Sequence, residues 1–288
     1  MKSYFVVISL LVGILLGAIG CYAYFLLTDK TRLYLNQTLG REKAYNYLVN
    51  SYNSSLGLCY EYPGSSRYWV THDNVLAFYA LQNWNRTIAD NITETIKRIA
   101  KEYNLTTNSA GIPLDTKAEV LLGYTIDFLS EFASNSVLNS SYYGSTLLSE
   151  KATGIPAIFT GYADLLCLAS LNEWRKQNYS GADAYYEQVK ALWDRDGKGF
   201  NDSAFNSTLG YYATYKLGLF YLLSRTLNKD FDFKKELIER VWLCQASNGG
   251  FKTDYYGNGT IPSGSHTNTE TTSIILLADV PSLFEYTN

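Results

Sequence analysis

Charge is scarce in this chain of 288 residues: Asp, Glu, Lys and Arg make up 18% of it, and the net charge of −3 gathers into no block of either sign. No basic patch stands out, so no nucleic acid is expected among its partners. Histidine occurs only twice and cysteine only four times. With no C-x-x-C pair and no His/Cys spacing of a zinc site, neither a metal nor a cofactor is expected. P-loop, G-x-S-x-G and H-E-x-x-H patterns are missing too, which removes support for nucleotide, serine-hydrolase and zinc-protease chemistry. No Pro- or Gly-rich linker divides the body.

What is abundant points to a compartment. Tyr4 to Leu27 is twenty-four residues without a charge, enough at about 1.5 Å per residue to cross a hydrocarbon core of roughly 30 Å. A cleaved signal peptide has an apolar run of about 7–15 residues, and this run continues past every small residue. Residues 1–32 are therefore expected to be an uncleaved anchor, with lipidation of Cys21 or ordinary cleavage as alternatives. Lys2 before the span and Lys30 and Arg32 after it leave orientation nearly balanced.

Ten N-x-[ST] sequons break the tie, beginning at Asn36, Asn53, Asn85, Asn91, Asn104, Asn139, Asn178, Asn201, Asn206 and Asn258. Composition alone would give about three or four, so the expectation is a glycosylated exterior. The N-terminus is then inside and residues 33–288 form an extracellular domain. Cys59, Cys167 and Cys244 remain for that domain, and an odd number allows at most one internal disulfide. Cys59–Cys244 is the pair expected if the chain ends close to where its body begins. Cys167, in the apolar run LLCLASL, reads as a buried hydrophobe.

Apolar residues recur at helical spacing over Gly40–Ser51, His72–Trp84, Thr87–Tyr103, Thr116–Phe132, Thr160–Lys176, Ala182–Trp193, Gly210–Leu227, Phe233–Ala246 and Asn268–Ala278. Strand-like alternation is scarce, with short candidates at Tyr60–Tyr62 and Phe251–Tyr255. The class expected is all-α. Helices are punctuated by a glycine and a bulky apolar residue at Gly57-Leu58, Gly111-Ile112, Gly154-Ile155, Gly199-Phe200 and Gly250-Phe251. The 54, 43, 45 and 51 residue intervals suit stacked helical hairpins. The third copy is the weakest, because its outer helix is ill defined between Ser136 and Glu150.

The run Gln245-Ala-Ser-Asn-Gly-Gly-Phe251, followed by Asn268 to Ala278, resembles the Q-x-x-x-G-G-F repeat of the α/α-toroid superfamily. That superfamily holds terpenoid cyclases, protein prenyltransferase β-subunits and sugar-active (α/α)-barrels. Leu192 to Phe200 is similar to a W-D-x-x-x-G-G-F turn of the sugar-active members. The resemblance implies an α/α toroid of about five helical hairpins behind one transmembrane helix, with inner helices starting at one rim. It implies no single activity. The D-x-D-D and D-D-x-x-D clusters of the cyclases and diphosphate-handling enzymes are absent, and no Asp, Cys and His trio for catalytic zinc can be placed.

Candidate chemistry centres on the two histidines. Thr71-His72-Asp73-Asn74 and Ser265-His266-Thr267-Asn268 open the inner helices of the first and last repeats, and Glu270 shares a turn with His266. His72, Asp73, His266 and Glu270 are thus candidate acids and bases. Capping explains the same residues: Thr71, Asp73, Ser265 and Asn268 are N-cap types, and an acid in a first turn suits the helix dipole. Asp115, Glu119 and Asp164 stand near other inner-helix starts, and Tyr215 holds the equivalent place in the Gly199 copy. These four are candidate ligand-binding residues. A glycosidase needs two facing carboxylates about 5–5.5 or 6.5–9.5 Å apart, and sequence spacing selects no pair. Asp194 to Asp202 has a calcium-loop flavour without the twelve-residue frame or terminal Glu, so a tight glycine turn is expected there.

The function expected is a membrane-anchored, N-glycosylated cell-surface protein with an aromatic cleft engaging glycans, catalysis not established. A glycoside hydrolase or epimerase using a His/carboxylate cleft is one alternative. A structural protein, or one binding a cell-surface partner protein, is the other.

Overall fold

The computed structural model describes residues 37–113, 116–121, 123, 125, 137–142, 144–150, 159–207 and 210–279. Two units divide the chain, Met1–Glu42 and Lys43–Asn288. Residues 37–42 are the described part of the first, as the opening of helix α1 over 37–51. α1 is followed by α2 (His72–Leu81), α3 (Arg86–Glu102), α4 (Thr116–Leu121), α5 (Ala163–Arg175) and α6 (Tyr179–Ala191). The short α7 (Ser203–Ser207), then α8 (Thr214–Thr226), α9 (Lys234–Leu243) and α10 (Thr269–Asp279) complete the order.

Two burial patterns alternate. In α10, Thr269 and every residue from Thr271 to Ala278 is buried, and α2, α5 and α8 are nearly as enclosed. A helix apolar on most sides has to be central. α3 is the opposite case. Ala89, Ile92, Ile96 and Ile99 recur at three- and four-residue spacing and are buried, while Arg86, Asp90, Glu94, Lys97 and Lys101 face water. Such a stripe fits one side against a core.

The enclosed helices pack in a circuit: α2 on α4, α4 on α5, α5 on α8, α8 on α10, and α10 back on α2. α3 lies against α2, α6 against α5 and α9 against α8. Hydrogen bonds fasten the join between the last helix and the first turn. Thr269 N donates to the Glu61 carbonyl at 3.0 Å, and the Thr269 hydroxyl donates to the Tyr60 carbonyl at 2.7 Å. The outer layer closes as well: a Cβ added at Gly250 would stand 2.6 Å from the Tyr47 ring of α1. Only glycine permits that approach.

The all-α toroid expected from the sequence is corrected to a mixed α/β fold. Four small sheets interrupt the helices. β1 (Tyr52–Asn53) pairs antiparallel with β2 (Leu58–Cys59) directly after α1. β3 (Arg67–Trp69), β4 (Val137–Tyr142) and β5 (Ser145–Glu150) form one sheet, with β5 central, parallel to β3 and antiparallel to β4. β6 (Trp193–Asp194) and β7 (Gly199–Phe200) make a clip after α6, and β8 (Tyr212–Ala213) pairs with β9 (Asp254–Tyr255). No helix among the described residues is long and apolar enough to cross a membrane. The Tyr4–Leu27 segment lies outside the described residues.

The strands have a physical cause that periodicity misses. Two-residue strands are too short to show alternation, and turn chemistry makes them. Asn53 Oδ1 accepts the Ser55 amide at 3.0 Å, and Gly57 closes the turn at a φ of 78°. Asp194 Oδ1 accepts the Asp196 amide at 2.9 Å in the matching clip, and there the left-handed residue is Lys198, not a glycine. The β4–β5 hairpin fills the stretch between Ser136 and Glu150 where the helical pattern fades.

Candidate functional site

The second residue of four enclosed helices is polar: Asp73 in α2, Asp164 in α5, Tyr215 in α8 and Glu270 in α10. Their N-terminal ends share one face. The Tyr215 hydroxyl donates to Asp164 Oδ2 at 2.8 Å, joining α8 to α5. Burial first, then the charges of Asp164 and Glu270, push the Tyr215 phenol well above its ordinary value, which places α10 beside them. Tyr47 spans the remaining gap. Burial pushes its phenol up, Thr267 ahead of α10 opposes the rise, and the Asp73 charge adds to it.

A buried ion pair braces this face. Asp202 is 2% exposed and Lys216 4%, and Lys216 Nζ donates to Asp202 Oδ2 at 2.5 Å. Asp202 Oδ2 also accepts the Ala163 amide at 2.9 Å, and its Oδ1 accepts the amides of Ala204 and Phe205 at 3.0 and 3.1 Å. The carboxylate is saturated and cannot serve a ligand. Lys216 Nζ lies 3.8 Å from Asp164 Oδ1, and that oxygen makes no hydrogen bond among the described residues. Asp164 Oδ1 is itself buried, an acceptor enclosed between the Tyr215 phenol and the Lys216 side chain. What Asp164 and Tyr215 can present to a hydroxyl-bearing ligand is therefore their partly exposed edge, held in place by this enclosed contact.

The two histidines sit at the border with separate aromatic partners. His266 is exposed and stacks on Tyr62 at 4.7 Å and 15°. His72 meets Trp69 edge-on at 5.5 Å and 89°. Their matching motifs are not structural equivalents. His72 is the first residue of α2, whereas His266 precedes α10 by three, in the register of Trp69. Asn268 caps α10, its Oδ1 accepting the Thr271 amide at 2.8 Å. Thr71 makes no side-chain cap. Asn74 instead binds the Cys59 amide at 2.6 Å and the Cys59 and Trp69 carbonyls at 3.0 and 2.6 Å, bolting β2 and β3 to α2.

Glu119 is buried at the fourth position of α4, and Asp115 lies outside the described residues. Lys216 is the functional-site residue missed by the sequence reading, and Asp202 was read only as part of a glycine turn. A lone lysine three residues into the apolar run Thr214 to Leu223 was the available signal. The expected Cys59–Cys244 bond is corrected: Cys59, Cys167 and Cys244 are free, buried thiols. Cys59 Sγ points at the Leu48 carbonyl, 3.7 Å away, while burial pushes the Cys244 thiol up to about 11, with Thr214 beside it lowering it. Each belongs to its own packing environment. Among the described residues no group of three or more His, Cys, Asp or Glu is arranged for a metal ion.

A second polar cluster lies at the outer layer. Lys190, Trp193, Arg195 and Asp230 to Phe233 line an open groove of about 460 Å³. Trp193 stacks on Phe233 at 4.2 Å and 8°, and Arg195 pairs with Asp232. No family model matches this chain, and neither a curated protein nor a solved structure does.

Proposed function

We propose that the chain is a membrane-anchored, N-glycosylated surface protein whose helix-N-terminal face engages glycans without transforming them. One observation carries this reading: Tyr215 and Asp164 are joined on a face that also bears Asp73 and Glu270, bordered by the Tyr62–His266 and Trp69–His72 ring pairs. Carboxylates and a phenol match sugar hydroxyls, and aromatic faces match the C–H faces of a pyranose. The anchor and the sequons support placement outside the cell. Binding is favoured over catalysis because Asp202, the most buried acid of the face, is spent on four donors. Profiling the full chain in detergent on a glycan array tests the proposal. Retention of one glycan class, lost in Tyr215→Phe and Asp164→Asn, is the expected result. Cleavage or epimerisation of the retained sugar would favour the enzyme reading. No retention by a folded chain would favour the structural one.

A further inference from the structure

We infer that Asn258 is an N-glycosylation site and that Asn53, which carries the same sequon, is not. This rests on the proposed placement of residues 33–288 outside the cell. An acceptor asparagine has to expose Nδ2 and the finished fold has to leave the sugar in water. The fold meets those conditions very differently at the two positions.

At Asn258 the Thr260 amide and hydroxyl both donate to Oδ1, at 2.9 and 2.7 Å. Oδ1 is thereby polarised, while Nδ2 has no partner among the described residues and the side chain is exposed. The turn itself is pinned. Tyr256 N donates to the Thr260 carbonyl at 2.9 Å and Gly259 N to the Tyr256 carbonyl at 2.8 Å. Arg240 of α9, 5% exposed and seated on the Tyr255 ring, donates from Nη2 to the Gly257 carbonyl at 2.9 Å. The loop is thus fastened to the outer helix layer.

Asn53 is committed to the fold. Its Oδ1 accepts the Ser55 amide at 3.0 Å, and its Nδ2 donates to the Tyr68 hydroxyl at 3.0 Å. Tyr68 is 4% exposed and Asn53 half-buried, so one Nδ2 hydrogen is held against a buried ring and a sugar replacing the other has to fit beside β3. Asn178 stands between the two: it is exposed, but Nδ2 donates to Glu173 at 2.7 Å. No other described sequon shows the hydroxyl-to-Oδ1 bond at so short a distance, the Ser180 contact on Asn178 being 3.2 Å.

The donor is a lipid-linked oligosaccharide pyrophosphate. A bond forms between Asn258 Nδ2 and C1 of the first sugar, the C1–O bond to the pyrophosphate breaks, and the lipid pyrophosphate leaves. Nδ2 surrenders one proton to the base of the transferase.

Tandem mass spectrometry of glycopeptides from the full chain, purified from the cells that make it, reads each site separately. The Asn258 peptide should carry sugar in most copies and the Asn53 peptide in none. Thr260→Ala should abolish the sugar on Asn258 and leave that on Asn91 unchanged. Sugar on Asn53, or a bare Asn258 beside other occupied sequons, overturns this inference alone. Bare peptides at every sequon overturn it together with the external placement.

Discussion

Two clusters in the Lys43–Asn288 unit are built from the same pieces and behave as opposites. At the start of α8, Lys216 and Asp202 are enclosed, with side chains 5% and 1% exposed, and three backbone amides complete the carboxylate. In the outer groove, Arg195 and Asp232 also pair, but with side chains 71% and 52% exposed. Removing one partner of a buried pair leaves an uncompensated charge, at a cost of about 3–5 kcal/mol. An exposed pair contributes about 0–1 kcal/mol and is screened by salt. Burial, not residue type, decides which cluster holds its geometry. Asp164 and Tyr215 inherit that rigidity because Lys216 lies between them and Asp202. A face held in place before a ligand arrives loses less entropy on binding.

The contrast breaks first at Lys216. Lys216→Met should destabilise the fold by about 3–5 kcal/mol, read as a fall in denaturant midpoint. A change below about 1 kcal/mol would place this pair in the same class as the exposed one. Asn74→Ala should come next. It strips partners from the Cys59 amide and from the Cys59 and Trp69 carbonyls, at about 1–3 kcal/mol for each buried group left orphaned.

A third effect is pH-dependent. The Tyr212 hydroxyl, 2.5 Å away, holds the Asp194 carboxyl below its ordinary range, against the opposing effect of burial. A depressed folded-state value means its stabilisation is present above the ordinary carboxylate pKa and is lost as pH falls through the folded one. Melting curves of Tyr212→Phe should therefore lose part of the acid-side decline seen in the unaltered chain. Arg195→Ala should be the mildest change, at most about 1 kcal/mol and vanishing at high salt. A larger loss in thermal melts would show the groove to be structural.

How much of this was legible beforehand varies with the length of the signal. Long helices left clear marks: α3, α8 and α10 fall within or beside the expected Thr87–Tyr103, Gly210–Leu227 and Asn268–Ala278. The clips around Gly57 and Lys198 did not register, because two residues show no period and an Asx turn depends on one side-chain bond. The histidine motifs misled for a related reason. Asn74 and Asn268 occupy equal places in the letters, yet one is inside its helix and the other precedes it. Asp164 and Tyr215 were visible as residues near helix starts. Their contact, and the part played by Lys216 and Asp202, depend on chain segments far apart meeting, which spacing does not encode.

Binding titration of the retained glycan against the unaltered chain, Tyr215→Phe and Arg195→Ala tests the central claim most directly. The account predicts at least a tenfold loss for Tyr215→Phe, about the 1.4 kcal/mol that a neutral hydrogen bond can supply, and an unchanged affinity for Arg195→Ala. Equal affinity in Tyr215→Phe, with a tenfold loss in Arg195→Ala, would move the ligand to the outer groove and contradict it.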